Sequence, residues 1–258
     1  MGTLHFPTEL HKAAIESIRD FFVKEAHVDT ILLTNSCARG KATTDSDIDF
    51  AILVKPLTPV EAIDMLERKW LDFLRAEPIL VKYSGSHRFA HIHLDVIDGV
   101  YQPATWDDGG GPDNFEIAIG NHLVYSAPLA GKGDYFNNLQ AQWLPYYNYS
   151  LQGQRLQMAK EACMNDLDHI PFLVKRTLYF HAFDKLYKAC QEFLQALFIS
   201  HAIYPIAYNK WIKEQVDKIL HLPALYKKLS QVISVSNIES DEVKRKGGIL
   251  RSLLEEYC

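Results

Sequence analysis

The chain has 258 residues, 48% of them hydrophobic and 23% charged, with a formal net charge of −5 at pH 7. That is the composition of a globular protein with room for one domain or two, and no apolar run approaches the ~18 residues of a membrane span. The acidic excess lies in residues 1–149, whereas 150–258 is mildly basic; this argues against a protein that tracks a nucleic-acid backbone and suits a cationic small substrate or a metal, with a solvated acidic surface as the plain alternative.

The start, "MGTLHFPTEL", lacks the basic segment and apolar core of a secretory leader. The periodicity predicts a helix over 8–26, capped by Thr8 and apolar along Leu10, Ala14, Ile18, Phe21 and Phe22. "VDTILLT" (28–34) is a short buried strand, 35–46 a polar turn, and "DIDFAILV" (47–54) a second strand. A capping box of Thr58, Pro59 and Glu61 predicts a helix over 58–76. Strands are expected at 79–83 and at 89–98, the latter alternating Ile92, Leu94 and Val96 with His91, His93 and Asp95. "WDDGGGPDN" (106–114) is a loop, either a surface excursion or a lid over substrate, and 121–127 a last short strand. From about residue 135 helical periods take over: 151–167, 171–200 opening at Pro171, 206–220, 222–234 and 238–256. The expected architecture is an α/β N-terminal domain, a mixed sheet flanked by helices (1–134), followed by an all-α helical bundle (135–258). The four cysteines, Cys37, Cys163, Cys190 and Cys258, contain no Cys-x-x-Cys pair. A cytoplasmic protein without zinc or disulfides is expected.

The chemistry concentrates where the first two strands meet. Asp47 and Asp49 are two residues apart on a strand, so both point to one face, and two buried carboxylates repel unless a cation neutralises them. Mg²⁺ takes oxygen ligands and is commonly held by one or two carboxylates together with substrate phosphates. The turn before them begins with "NSCARG". A short helix starting near Ser36 would turn free backbone N–H groups towards a phosphate. Ser36 adds a hydroxyl, and Arg39 and Lys41 add positive charge.

The string "NSCARGKATTDSDIDFAILV" resembles the Gly-Ser-x-Ala-Arg-Gly…Ser-Asp-Ile-Asp pattern of the DNA polymerase β-like nucleotidyltransferase superfamily. Ser36, Ala38, Arg39, Gly40, Ser46, Asp47, Ile48 and Asp49 match. Asn35 stands where the family has glycine; asparagine tolerates left-handed backbone better than most residues, so the turn is expected to survive. The resemblance implies two Mg²⁺ ions on Asp47 and Asp49 and an NTP, ATP in the first instance, with its phosphates at Asn35, Ser36, Arg39 and Lys41. It further implies a third carboxylate on a neighbouring strand, as metal ligand or as base for the acceptor hydroxyl. Asp95 and Asp98 are the candidates. Asp95 is preferred, because it lies inside an apolar strand whereas Asp98 precedes Gly99 and reads as a turn former.

The helical segment resembles, more loosely, the domains that follow the catalytic domain in bacterial antibiotic and small-molecule nucleotidyltransferases. It carries an Ala-Leu-Phe run and a later Lys-Trp. Tyr179, His181, Asp184, Lys185 and Lys188 are candidate substrate contacts there, although most such residues pack a core. His91 and His93 flank Asp95 and would bind substrate or orient it; an ordinary strand histidine is the plainer reading. Arg176 and His181 share the Arg-x4-His spacing of small helical ribonuclease domains, a spacing common by chance. The expected activity is transfer of an NMP to a hydroxyl of a small molecule, an aminoglycoside-like antibiotic among the candidates, with release of pyrophosphate. The alternatives are a protein-modifying, antitoxin-type enzyme or a catalytically weakened nucleotide-binding regulator. No membrane partner is expected, and nucleic acid is disfavoured.

Overall fold

The computed structural model describes residues 4–105 and 111–258. The loop expected at 106–114 therefore falls partly outside the described residues. The chain divides into two compact units: residues 1–101 with 119–143, and residues 102–118 with 144–258.

The first unit is built on a four-stranded sheet in the order β3-β2-β1-β4. Its strands are β1 (Val28–Leu33), β2 (Ile48–Val54), β3 (Ile92–Ile97) and the two-residue β4 (Ala127–Pro128). β2 runs antiparallel to β1 and parallel to β3, and β1 pairs antiparallel with β4. β2 is thus an interior strand, which is why it reads as an almost unbroken apolar run. All of its residues are buried except Asp49. Helix α1 (Glu9–Phe22) begins where Thr8 accepts a hydrogen bond from His11 N at 3.1 Å. It buries Ala14, Ile15, Ile18 and Phe22 in a core shared with Ile31, Leu33, Ile48, Phe50 and Ile52. The short α2 (Asn35–Ala38) follows β1, and α3 (Val60–Ala76) follows β2.

Three local expectations for this unit need correction. Residues 79–83 are not a strand but part of α4 (Pro78–Ser84). Pro78 suits the first helical position, and the buried pair Leu80 and Tyr83 has helical spacing. Five apolar-rich residues are too few for periodicity to decide, and β-propensity misled. The capping box at α3 is not made: Pro59 takes the cap position without a side-chain bond, and the Thr58 hydroxyl instead donates to Lys55 O at 2.7 Å. Residues 121–127 form a π-helical turn (Gly120–Val124) that leads into β4. After it, α6 (Asp134–Trp143) is tied to β1 by Asp29, whose carboxylate accepts from the backbone N–H groups of Tyr135 and Phe136.

The second unit is helical. It contains α5 (Phe115–Ile119) at the end of its first segment, then α7 (Tyr149–Lys175), α8 (Tyr179–Ser200), the one-turn α9 (Ile212–Glu214), a π-helical turn (Gln215–Ile219), α10 (Pro223–Ile233) and α11 (Glu242–Tyr257). α7 and α8 make the core, where Phe193, Leu197, Phe198 and Ile199 are fully buried. Pro171 lies inside α7 rather than opening the next helix. The break falls instead at Thr177, which takes φ 59°. The predicted 206–220 helix is shortened because Gln215, fully buried, holds the preceding loop: its amide accepts from Ile206 N at 2.6 Å and donates to Ala207 O and Lys210 O. A buried network also fixes the segment before α5. Arg155 donates to Asp113 at 2.6 and 2.7 Å and to Glu116 at 2.8 Å, and Gln195 and Tyr147 donate to Glu116. All four cysteines are free. Among the described residues no helix is long and apolar enough to cross a membrane.

Candidate active site

β1 extends its pairing by one bond, Thr34 N to Asp49 O at 2.9 Å, and then turns directly into α2. This brings residues 34–41 beside the start of β2. Asn35 takes φ 52°, in the left-handed region that favours glycine and that asparagine enters most readily among other residues. The turn is closed by Arg39 N to Asn35 O at 3.3 Å, Gly40 N to Cys37 O at 3.3 Å and Lys41 N to Ser36 O at 2.9 Å. Gly40 also has positive φ, 64°. Asn35, Ser36 and Arg39 are half-buried and Lys41 is exposed.

Asp47 precedes β2 and Asp49 is its second residue. Both carboxylates are partly exposed, Asp47 just before a strand whose residues other than Asp49 are buried. The parallel register sets Asp49 opposite His93 and Ala51 opposite Asp95. Residues opposite one another in a parallel pair share a face, so Asp49, His93 and Asp95 look the same way. His93 Nε2 is 3.6 Å from Asp47 Oδ2. One ligand atom each from Asp47, Asp49 and His93 lies within 4.8 Å of the others. Among the described residues this is the group of histidine, cysteine and carboxylate side chains so placed to hold a metal, and it does not include Asp95. Asp95 is exposed, two residues further along β3. Asp98 lies past the strand, where its Oδ1 accepts from Val100 N at 2.9 Å as a turn former does. His91 stacks its ring 5.9 Å from that of His93.

The start of β2 is held from beneath. Ser46 O accepts from the Tyr83 hydroxyl at 2.7 Å and from His11 Nε2 at 3.1 Å. His11 Nδ1 lies 2.8 Å from the Thr8 hydroxyl. With Nε2 donating, Nδ1 is an acceptor and the ring is neutral, and burial lowers the His11 pKa accordingly. The Cys37 thiol donates to Asp47 O at 3.6 Å. Burial, then the charges of Asp49 and Asp47, push that thiol up to about 12, so it is an inert structural group. Tyr83 is likewise raised by burial and by Cys37 and both aspartates.

Sequence reasoning missed His122. It sits in the π-helical turn, its Nδ1 3.2 Å from the Tyr101 hydroxyl, and burial lowers its pKa to about 4 against a pull from Asp95. No periodic signal marks it, because a π turn has none of the spacing of a helix or strand. Of the helical candidates, Lys185 is buried in an ion pair with Asp166 at 2.6 Å and Lys188 pairs with Asp184 at 3.1 Å.

A small mixed sheet, a tight turn after its first strand and paired carboxylates at the start of the next come together in the first unit. Residues 15–100 match the family model described as a nucleotidyltransferase domain. That span runs from within α1 through β3 and includes every residue of the turn and carboxylate cluster. This part of the chain is a nucleotidyltransferase domain of the DNA polymerase β-like superfamily, and its chemistry is nucleotidyl transfer. No curated protein matches the chain.

Proposed function

We propose that the protein is a divalent-cation-dependent nucleotidyltransferase that moves an NMP from an NTP, ATP in the first instance, to a hydroxyl of a small molecule. The observation that carries this reading is the grouping of Asp47 and Asp49 with His93 beside the 34–41 turn. Two carboxylates and an imidazole are a donor set suited to a divalent ion, Mg²⁺ being the ion implied by the family. When bound, such an ion would neutralise the triphosphate and stabilise the attacking and leaving oxygens. Asp47 and Asp49 would hold it. The Ser36 hydroxyl and the amides of the turn around Asn35 would orient the β- and γ-phosphates, and Arg39 and Lys41 would add positive charge. Asp95 would accept the proton of the acceptor hydroxyl. The acceptor oxygen forms a bond to the α-phosphorus, the α–β phosphoanhydride bond breaks, and pyrophosphate leaves. The acidic N-terminal part of the chain supports a cationic acceptor such as an aminoglycoside-like antibiotic. Recognition of that acceptor would fall to the helical C-terminal part of the chain, residues 144–258.

The test is pyrophosphate release from ATP over a panel of hydroxylated acceptors, cationic and neutral. Turnover with a cationic member, reduced at least ~1,000-fold in Asp95→Asn, is expected. Turnover confined to neutral acceptors, or unaffected by Asp95→Asn, contradicts the acceptor class or the role given to Asp95.

A further inference from the structure

We infer that His93 is a protein ligand of the cation held by Asp47 and Asp49, and that its nitrogen shifts the site's preference from Mg²⁺ towards Mn²⁺. This rests on the proposed cation site and concerns which ion it selects. Three features carry it. The register places His93 directly opposite Asp49 on the adjacent parallel strand, so the imidazole and that carboxylate leave the sheet side by side. His93 Nε2 is 3.6 Å from Asp47 Oδ2, and the three donor atoms fall within 4.8 Å of one another. Donors bound ~2.1 Å from one ion in octahedral geometry are ~3 Å apart when adjacent and ~4.2 Å apart when opposite. The His93–Asp47 separation falls between these two values, and side-chain rotation of the partly exposed donors would close the remaining gaps around an ion. Finally, Asp95 stands outside the group, ~7 Å further along the strand.

The chemistry of this donor set differs from that of three carboxylates. It brings two negative charges and one neutral nitrogen. Mg²⁺ is a hard ion that favours oxygen and gains little from imidazole. Mn²⁺ accepts carboxylate and imidazole together and gains more from each nitrogen donor. With His93 as the ligand from β3, Asp95 need not coordinate and is left to the acceptor hydroxyl.

The experiment is Mn²⁺ titration of the full chain, followed by electron paramagnetic resonance, with pulsed detection of ¹⁴N coupling to the bound ion and Mg²⁺ as competitor. Wild-type protein should show a nitrogen-coupled Mn²⁺ site. His93→Ala should lose the coupling and bind Mn²⁺ at least ~10-fold more weakly. His93→Asp should also lose the coupling, keep Mn²⁺, and narrow the Mn²⁺-over-Mg²⁺ ratio by about tenfold. His91→Ala should change neither. The His93 side chain is 58% exposed, so these variants leave the core intact. Nitrogen coupling that persists in His93→Ala, or an unchanged ratio in His93→Asp, overturns the inference. If those results appear while Asp47→Asn/Asp49→Asn abolishes Mn²⁺ binding, the cation site stands and only the role of His93 falls. If the double variant binds Mn²⁺ like the wild type, the cation site itself is wrong.

Discussion

Asn35 is the residue on which the turn after β1 depends. Its φ of 52° is a conformation that most side chains enter only at a cost of roughly 1–2 kcal/mol. Asn35→Gly should therefore leave chemical-denaturation stability within about 0.5 kcal/mol of wild type, whereas Asn35→Ala should lose about 1 kcal/mol. Equal losses in both variants would mean that the asparagine side chain, not its backbone, holds the turn. Asp47 and Asp49 tell a different story at this scale. They lie half-exposed at the start of an otherwise buried strand, Asp47 just before it and Asp49 within it, so removing their charge should not unfold the domain. Asp47→Asn/Asp49→Asn should keep or slightly raise thermal stability in the absence of cation, as mutual repulsion is relieved.

At the scale of elements, the start of β2 is positioned by α1 and α4 together. His11 from α1 and Tyr83 from α4 both donate to Ser46 O, the carbonyl just before Asp47. Tyr83→Phe removes one of the two donors and should cost about 1 kcal/mol by denaturant unfolding while reducing nucleotide transfer only modestly. A variant as stable as wild type would show that His11 alone suffices. This support was invisible in the sequence. The strand–turn–strand motif was legible because it is contiguous: apolar runs, turn residues and two aspartates in fixed order. α4 was misread because "ILVKY" fits a strand by composition, and only packing of Leu80 and Tyr83 against the core decides for a helix. His93 was legible as a residue on the right face of β3. Its position opposite Asp49 was not, because register between strands 44 residues apart is set by tertiary packing. His122 lies in a π turn without a sequence signature.

Across the whole molecule, two titratable groups, the half-buried His122 and the buried Glu192, predict opposite pH dependence for the two units. His122, in the first, falls from its ordinary 6.5 to about 4 through burial. Between those values the unfolded chain binds more protons than the folded one. This unit should therefore lose stability, by roughly 3 kcal/mol, as pH falls from about 6.5 to about 4. Glu192, in the second, rises from 4.5 to about 8 through burial and the charge of Asp166, opposed by Lys185 and Lys188. Its folded form keeps the proton, so this unit should lose stability as pH rises from about 4.5 to about 8. Thermal unfolding from pH 4 to 9 should flatten for the first unit between about 4 and 6.5 in His122→Gln, and for the second between about 4.5 and 8 in Glu192→Gln. Unchanged profiles would remove these groups from the account.

The most direct test of the central claim is thermal shift of the full chain with each NTP, with and without divalent cation, in wild type and Asp47→Asn/Asp49→Asn. The account predicts stabilisation by NTP that requires the cation and disappears in the double variant. Stabilisation that is independent of the cation and survives in the double variant would contradict it.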